Sequence, residues 1–294
     1  MSKKTVLTLV IIFAAVFVAF AIITNLIFVS GNFKEKGFSS GFKGERFEVN
    51  DSQSIDLSGV ELIDIDVVSS DVSLYESAGA LDIELNIEGF STGKKMKLIV
   101  EKNGSTAKIK IEHPRNILVV DITRSDLYIG IPSDYDGEIQ LNSVSGDVTN
   151  SSDLNNELEE FALGTTSGDV RLSVNSIGRL FAKSVSGKVE IDSDILEDVR
   201  TTTTSGNIEI MSIADGCENV YAKSVSGNVD LDYDRACETE IRTVSGEIRI
   251  GVMADDAIDL RFKSVSGDMS GNVNMNDDGV NFEVSLTSGS LRFK

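Results

Sequence analysis

The chain has 294 residues, of which 47 are acidic and 27 are basic, so its net charge is −20 at neutral pH. This charge argues against nucleic-acid binding and against broad adhesion to anionic lipid, because polyanions attract basic proteins through counterion release. Trp is absent, only two Pro occur, and Gly, Ser, Asp, Val and Ile are abundant. This composition favours many short β-strands joined by polar turns over a helical or α/β enzyme.

The first thirty residues differ from the rest of the chain. The run from Thr5 to Val29 has no charged residue, and its 25 residues are enough for a membrane-spanning helix. The small residues at Ala19-Phe20-Ala21 resemble a signal-peptide cleavage site, but the apolar run continues beyond them. We therefore predict an uncleaved transmembrane anchor at residues 1–30. Lys3 and Lys4 favour an internal N-terminus, although further basic residues after the run leave the charge rule undecided.

Two β-rich regions follow the anchor. Residues 31–60, rich in Gly, Ser and Lys, are predicted to form a juxtamembrane linker and a first strand. Residues 61–138 are predicted to form the N-terminal β-rich part of the main body, with a hairpin insertion. The hairpin prediction depends on Asn103-Gly104, since this dipeptide is a strong turn signal between alternating segments.

A short repeat dominates residues 139–294. A Ser-Gly step recurs at intervals of 19 to 22 residues, and the glycines are Gly146, Gly168, Gly187, Gly206, Gly227, Gly246, Gly267 and Gly289. Apolar residues alternate on both sides of each glycine, as in Leu180-x-Ala182 and Val189-x-Ile191. One further copy lies upstream, with Ser70 in the place of the glycine.

The repeat predicts an all-β fold. Alternating apolar residues indicate strands, and one short unit can bury its apolar face only by stacking on similar neighbours. We predict a β-solenoid, or single-stranded β-helix, of roughly 20-residue S-x-S-G coils, preceded by one N-terminal transmembrane helix. The alternation of "KSVSG" units with "TTSG" or "TVSG" units leaves open whether one or two units form a turn. Each repeated glycine indicates a bulge, a tight bend or a close approach of two backbones.

The chain has two cysteines, Cys217 and Cys237, and each precedes a repeat unit. If one unit forms one coil, they lie in adjacent coils about 4.8 Å apart, a spacing that permits a disulfide. If two units form a coil, they lie on opposite sides. We predict a structural disulfide between Cys217 and Cys237, with two reduced thiols as the alternative. The sequence has no Cys-x-x-Cys pair that would suggest redox catalysis.

Few residues suggest chemistry. His113 is the only histidine, so a second one for a zinc site or a catalytic dyad is missing. The sequence has neither a phosphate-binding loop nor a Gly-x-Ser-x-Gly elbow. We predict that the protein is not an enzyme and has no catalytic residue, cofactor or metal. The serines before the glycines are expected to bond nearby backbone, with a glycan-binding hydroxyl row as the alternative. The acidic residues after several glycines are expected to be solvated, with weak divalent binding as the alternative.

The stretch "DLYIGIPSDYDGEIQLNSVSGDV" at 126–148 and the units "TTSGDVRL", "SVSGKVEI", "TTSGNIEI", "SVSGNVDL" and "TVSGEIRI" resemble the bacterial DUF4097 β-strand-repeat family. Its members are often labelled "putative adhesins". The resemblance covers residues 45–294. It implies a β-solenoid in the bacterial envelope, often membrane-tethered and sometimes linked to envelope-stress systems, and it implies no catalytic residues.

These observations predict a single-pass protein of the bacterial cell membrane with an extracellular C-terminal domain. Its acidic β-solenoid is expected to act as an adhesin-like interaction or scaffold module. The expected partner is another envelope protein or a cell-wall polymer, and the oligomeric state stays open. One alternative is an accessory component of an envelope-stress signalling system. Another is a polysaccharide-active enzyme on a β-helix scaffold, for which the sequence shows no strong cluster of carboxylates with Lys or Arg.

Overall fold

The computed structural model describes residues 45–91, 96–112, 120–150, 154–213 and 216–294. Within these ranges no residue is helical, and no helix is available there to cross a membrane. The anchor predicted at residues 1–30 and the linker as far as residue 44 lie outside the described residues. Residues Gly44–Lys294 form one compact unit.

The described residues form 19 β-strands, which belong to one sheet. The strands are β1 Glu45–Ile55, β2 Leu62–Ser69, β3 Asp71–Ser77, β4 Leu81–Ser91, β5 Lys97–Asn103, β6 Thr106–Glu112, β7 Val120–Pro132, β8 Glu138–Ser145, β9 Val148–Asn150, β10 Leu154–Ser167, β11 Val170–Ser186, β12 Val189–Ser205, β13 Ile208–Ile213, β14 Asn219–Ser226, β15 Val229–Tyr233, β16 Glu238–Gly251, β17 Ala257–Ser270, β18 Asn274–Met275 and β19 Val280–Phe293.

The repeat units stack in parallel, one directly on the next. The serine before each glycine pairs with its equivalent in the neighbouring unit, as Ser167 does with Ser145 and with Ser186. Each unit therefore forms one layer. The upstream copy, β2 and β3, forms a layer against β8 and β9. Antiparallel pairs occur only near the start of the described chain, in β1–β4, β4–β7 and the β5–β6 hairpin.

The predicted single-stranded β-solenoid is wrong, whereas the transmembrane helix predicted before it falls on residues 1–30, outside the described residues. The parallel sheet closes on itself. β12 pairs with both β13 and β14, β13 pairs with β15, and β14 pairs with β16. The ring is completed because β15 and β16 pair with each other. The described residues contain no helix. The physical reason is that alternation specifies only which side chains face inward. It does not specify how the strands connect, nor the order in which they pair.

The order of the last layers differs from the order of the chain. β19 lies between β16 and β17, because Leu286 pairs with Thr243 on one side and with Ser264 on the other. The inward side chains explain this arrangement. Leu286 and Leu291 of β19 are buried, whereas Ser264 and Met269 at the same positions of β17 are exposed. The strand with the more apolar inward face therefore occupies the interior position, where burial of each large apolar side chain contributes about 1.5–3 kcal/mol.

The repeated glycines lie where the chain turns from one wall to the next. Gly187 has φ +128°, a region that favours glycine, and a Cβ on it would lie 2.1 Å from the carbonyl oxygen of Gly168 in the adjacent layer. The same close approach joins Gly168 to Gly146 at 2.1 Å and Gly227 to Gly206 at 2.0 Å. The glycine column thus combines a bend with a backbone contact that leaves no room for a side chain.

Candidate functional site

One outer face carries regular columns of side chains, on the strand segments that precede the glycines. Outward positions along a strand are about 6.7 Å apart, and layers are about 4.8 Å apart. The strand register aligns four such columns. The polar column is Arg179, Asp198, Asn219, Glu238, Asn281 and Asp259. The mixed column is Phe181, Arg200, Tyr221, Glu240, Glu283 and Arg261. The basic column is Lys183, Thr202, Lys223, Arg242, Ser285 and Lys263. The Val/Thr column is Val185, Thr204, Val225, Val244, Thr287 and Val265.

A groove of about 410 Å³, here called the basic groove, lies between the basic column and the Val/Thr column. Lys223, Arg242 and Lys263 line one side. The other side is apolar and open to solvent, since Val244 is 49% exposed and Val265 is 83% exposed. The groove therefore offers cations beside an apolar edge.

Two of the three cations have acidic neighbours. Arg242 forms an ion pair with Glu240, and the Lys263 Nζ lies 2.9 Å from Glu283 Oε1. The hydrogen bond from Lys263 lowers the pKa of the Glu283 carboxyl below its ordinary value. Lys223 lies beside them without an ion pair to any described residue. We therefore regard Lys223 as the cation most available to an anionic ligand.

A second groove of about 370 Å³, here called the aromatic groove, lies between the polar and mixed columns. The Arg200 guanidinium lies 5.8 Å from the ring centre of Tyr221 and 5.9 Å from that of Phe181, within the range of a cation–π interaction. Asn219 and Asn281 contribute amides to the same groove. An aromatic face beside amides and carboxylates can contact the apolar face of a sugar ring and bond its hydroxyls.

The acidic and amide residues after the glycines have a structural role. Asp147 Oδ1 accepts a hydrogen bond from the backbone N–H of Asp169 at 2.8 Å, and Asp169 Oδ1 accepts one from Lys188 N–H at 2.8 Å. Asn207 Oδ1 accepts one from Asn228 N–H at 2.9 Å. These side chains satisfy backbone donors beside the bend. In the part of the chain that the structure describes, no group of three His, Cys, Asp or Glu is placed to hold a metal, and His113 lies outside that part.

The hydroxyl that hydrogen-bonds the backbone beside the bend is not the one expected from the sequence. The serine before each glycine is exposed, as Ser145 and Ser167 show. In some layers the buried hydroxyl two positions earlier donates instead, from Thr165 Oγ1 to the Ser167 carbonyl at 3.3 Å and from Thr243 Oγ1 to the Ser245 carbonyl at 3.4 Å. The equivalent hydroxyls of Ser184, Thr203 and Ser224 are buried without a hydrogen-bond partner among the described residues. The sequence signal was the recurrence of Ser or Thr at this inward position.

The two cysteines lie together. Their sulfur atoms are 2.8 Å apart and both thiols are free, with Cys237 buried and Cys217 half-buried. The hydrogen bond between the thiols, with burial, raises the pKa of Cys217. Because the thiolate is the reactive form, this shift lowers the reactivity of the Cys217 thiol at neutral pH.

Oxidation of this pair is expected to stabilise the protein. A disulfide between Cys217 and Cys237 would close a loop of about 20 residues, which corresponds to about 3 kcal/mol in the chain-entropy model. Urea unfolding with and without a phosphine reductant measures the difference. The Cys217→Ser/Cys237→Ser variant is the control and should not respond to the reductant. Equal stability of the oxidised and reduced unmodified chain would contradict the expectation.

Comparison with known proteins places these observations in context. The model of the family described as Toastrack DUF4097 matches residues 60–290. Among solved structures, a "putative adhesin" from Bacteroides fragilis is 14% identical with a TM-score of 0.52, covering 86% of this chain and 100% of that chain. A "putative lipid binding protein" from Parabacteroides distasonis is 17% identical with a TM-score of 0.52, covering 83% and 96%. At these identities the likeness shows the fold alone. The chain has no significant match among the curated proteins.

Proposed function

Because this chain belongs to the Toastrack DUF4097 family, we propose that it is an adhesin-like interaction module without enzymatic activity. Its ligand is a linear cell-wall glycan that carries anionic groups. The observation that carries this proposal is the pair of parallel grooves on one face, which together offer an aromatic ring, amides and cations at regular spacing.

The sugar rings are assigned to the aromatic groove. Tyr221 lies at its border, and the stacked Arg200 holds the ring of Tyr221 in place. Asn219, Asn281 and Glu240 supply donors and acceptors for hydroxyl groups. A regular column suits a polymer better than a single small molecule, because each layer repeats similar groups about 4.8 Å further along.

The anionic groups are assigned to the basic groove. Lys223 lies two residues after Tyr221 on the same strand, so one ligand chain about 7 Å wide can reach both. The net charge of −20 repels polyanions at long range. At physiological salt this repulsion is screened beyond about 8 Å, so the local cations determine the contact.

The same proposal includes location. The anchor predicted at residues 1–30 holds the module at the outer face of the bacterial membrane, in a single-pass arrangement. In this location wall polymers are within reach of the module. The carboxylate of a peptidoglycan glycan strand and the phosphate of a wall phosphodiester polymer share the required charge.

The test measures binding of two defined polymers to the full chain in a mild detergent. The probes are glycan strands released from peptidoglycan, which carry carboxylates, and poly(glycerol phosphate). Tyr221→Ala and Lys223→Ala are each expected to weaken binding about tenfold, which corresponds to about 1.4 kcal/mol. The matched controls are Phe90→Ala and Lys97→Ala, which remove an exposed aromatic and an exposed cation elsewhere.

The outcomes separate the alternatives. Loss of glycan-strand binding in the two groove variants with unchanged controls supports the site, and additional binding of poly(glycerol phosphate) would show that the basic groove also accepts phosphate. A larger loss of affinity on Tyr221→Ala for glycan strands than for poly(glycerol phosphate) supports the assignment of sugars to the aromatic groove. Failure of the unmodified chain to bind glycan strands, or equal loss in the controls, overturns the proposal, because poly(glycerol phosphate) has no sugar ring for the aromatic groove.

A further inference from the structure

The last layer of the sheet leaves an edge open. β17 pairs with β19 on one side, and on the other side only Ala257–Ile258 are covered, by β18. Of residues 261–270, every one is exposed except the half-buried Phe262. Val265 is 83% exposed and Met269 is 44% exposed. This edge thus combines apolar side chains with uncovered backbone.

The backbone N–H and C=O groups of β17 that do not pair with β19 point away from the sheet, along the direction in which the layers stack. In interior layers the inward residue after the glycine donates its N–H to the following layer, as Val170 does to the Lys188 carbonyl at 2.8 Å and Ile208 does to the Asn228 carbonyl at 2.9 Å. Met269 holds the equivalent position in β17, where no described strand follows. Such a row of unpaired donors and acceptors is a template for another strand.

We infer that this edge pairs with β17 of a second copy of the chain, antiparallel and about a two-fold axis between Val265 and Ser266. In this register Phe262 lies opposite Met269 of the second copy, and Lys263 lies opposite Asp268 of the second copy. The two-fold axis repeats both contacts. The interface therefore has an apolar pair and an ion pair on each side of the axis.

The bend at the glycine makes this register consistent. Inward residues are even-numbered before it, as with Phe262, and odd-numbered after it, as with Met269. The axis exchanges the segment before the bend with the segment after the bend of the other copy, so inward side chains meet inward side chains. The bends of the two copies meet at the axis. The pairing covers the free edge of β17 in both copies, as an isologous interface does.

Charge complementarity selects the second copy as the occupant. Opposite charges directly across an antiparallel pair stabilise it, and like charges destabilise it. Lys263 and Asp268 are placed symmetrically about the axis, so the strand is complementary to itself. Lys263 also contacts Glu283 at 2.9 Å, which holds the Lys263 side chain near the edge.

Sedimentation equilibrium of the full chain in a mild detergent tests this inference. Lys263→Asp and Asp268→Lys each place like charges across the axis, and each is expected to raise the dimer dissociation constant at least tenfold. A mixture of the two variants is expected to restore the dimer, since each introduced charge then faces its opposite. Lys223→Asp, in the same column three layers away, is the control and should leave the dimer unchanged.

The mixture distinguishes a lost contact from a misfolded variant, because a misfolded chain would not recover on mixing. The inference would be overturned if the unmodified chain stayed monomeric at about 100 µM and above, because a dimer with a weaker dissociation constant would have little relevance. Dimers that persist in both single variants, or a mixture that stays monomeric, would overturn it as well. The glycan test uses residues outside this edge strand, so its failure leaves this inference standing.

Discussion

Replacing Gly187 by Ala is expected to lower the free energy of unfolding by about 3 kcal/mol or more. A residue with a side chain at φ +128° costs of order 1–3 kcal/mol, and forcing atoms into a packed interior adds about 1–3 kcal/mol. The carbonyl oxygen 2.1 Å from the new Cβ belongs to Gly168, so relief would require the layers to separate. Urea unfolding followed by circular dichroism measures the loss.

A matched substitution controls for the loss of glycine itself. Gly79 is exposed in a turn, and a Cβ on it would meet no atom within 4 Å. Gly79→Ala is expected to change stability by about 0.5 kcal/mol or less. If Gly187→Ala and Gly79→Ala had the same effect, the close approach in the glycine column would not be a constraint.

Removal of β19 is expected to release β17 as well, although β17 itself stays in the chain. A chain truncated after Gly279 loses the buried side chains Phe282, Val284, Leu286, Leu291 and Phe293, each worth about 1.5–3 kcal/mol. It also loses the only strand that pairs along the full length of β17 in the described structure. Hydrogen exchange should show that the amides of β17 lose protection, while those of β10 and β11 keep it.

An internal deletion provides the opposite case. Removing residues 257–278 takes out β17 and β18 and shortens the interval between Ser245 and Ser288 from 43 to 21 residues, within the 19–22 of the other layers. The deleted chain should therefore keep β19 paired with β16. Persistent protection of β17 in the truncated chain would show that β17 can pair directly with β16, and the truncation argument would fail.

The repeat itself could be predicted from the sequence, because alternation and spacing are local. Strand order could not. The units around Gly267 and Gly289 match the same pattern, and only the inward residues distinguish them. Ser264 and Met269 fill an interior position less well than Leu286 and Leu291, and this difference becomes meaningful only when two strands compete for one neighbour.

The candidate site was hidden for a related reason. Lys223 and Lys263 recur four residues before their glycines, which is visible in the sequence. Their proximity to Arg242 depends on register across layers. Tyr221 and Arg200 lie 21 residues apart and meet only because one unit forms one layer. A linear reading treats them as scattered surface residues.

The interior position of β19 also has a consequence for synthesis. β17 leaves the ribosome before β19, and the 23 residues from Ser270 to Phe293 take about 1–5 s to follow at 5–20 residues per second. During this interval the free edge of β16 has only β17 as a neighbour of the right pattern. Because β17 is expected to be released when β19 is missing, β17 of the nascent chain waits unpaired until β19 arrives. Completion of the last layers therefore waits for the synthesis of β19.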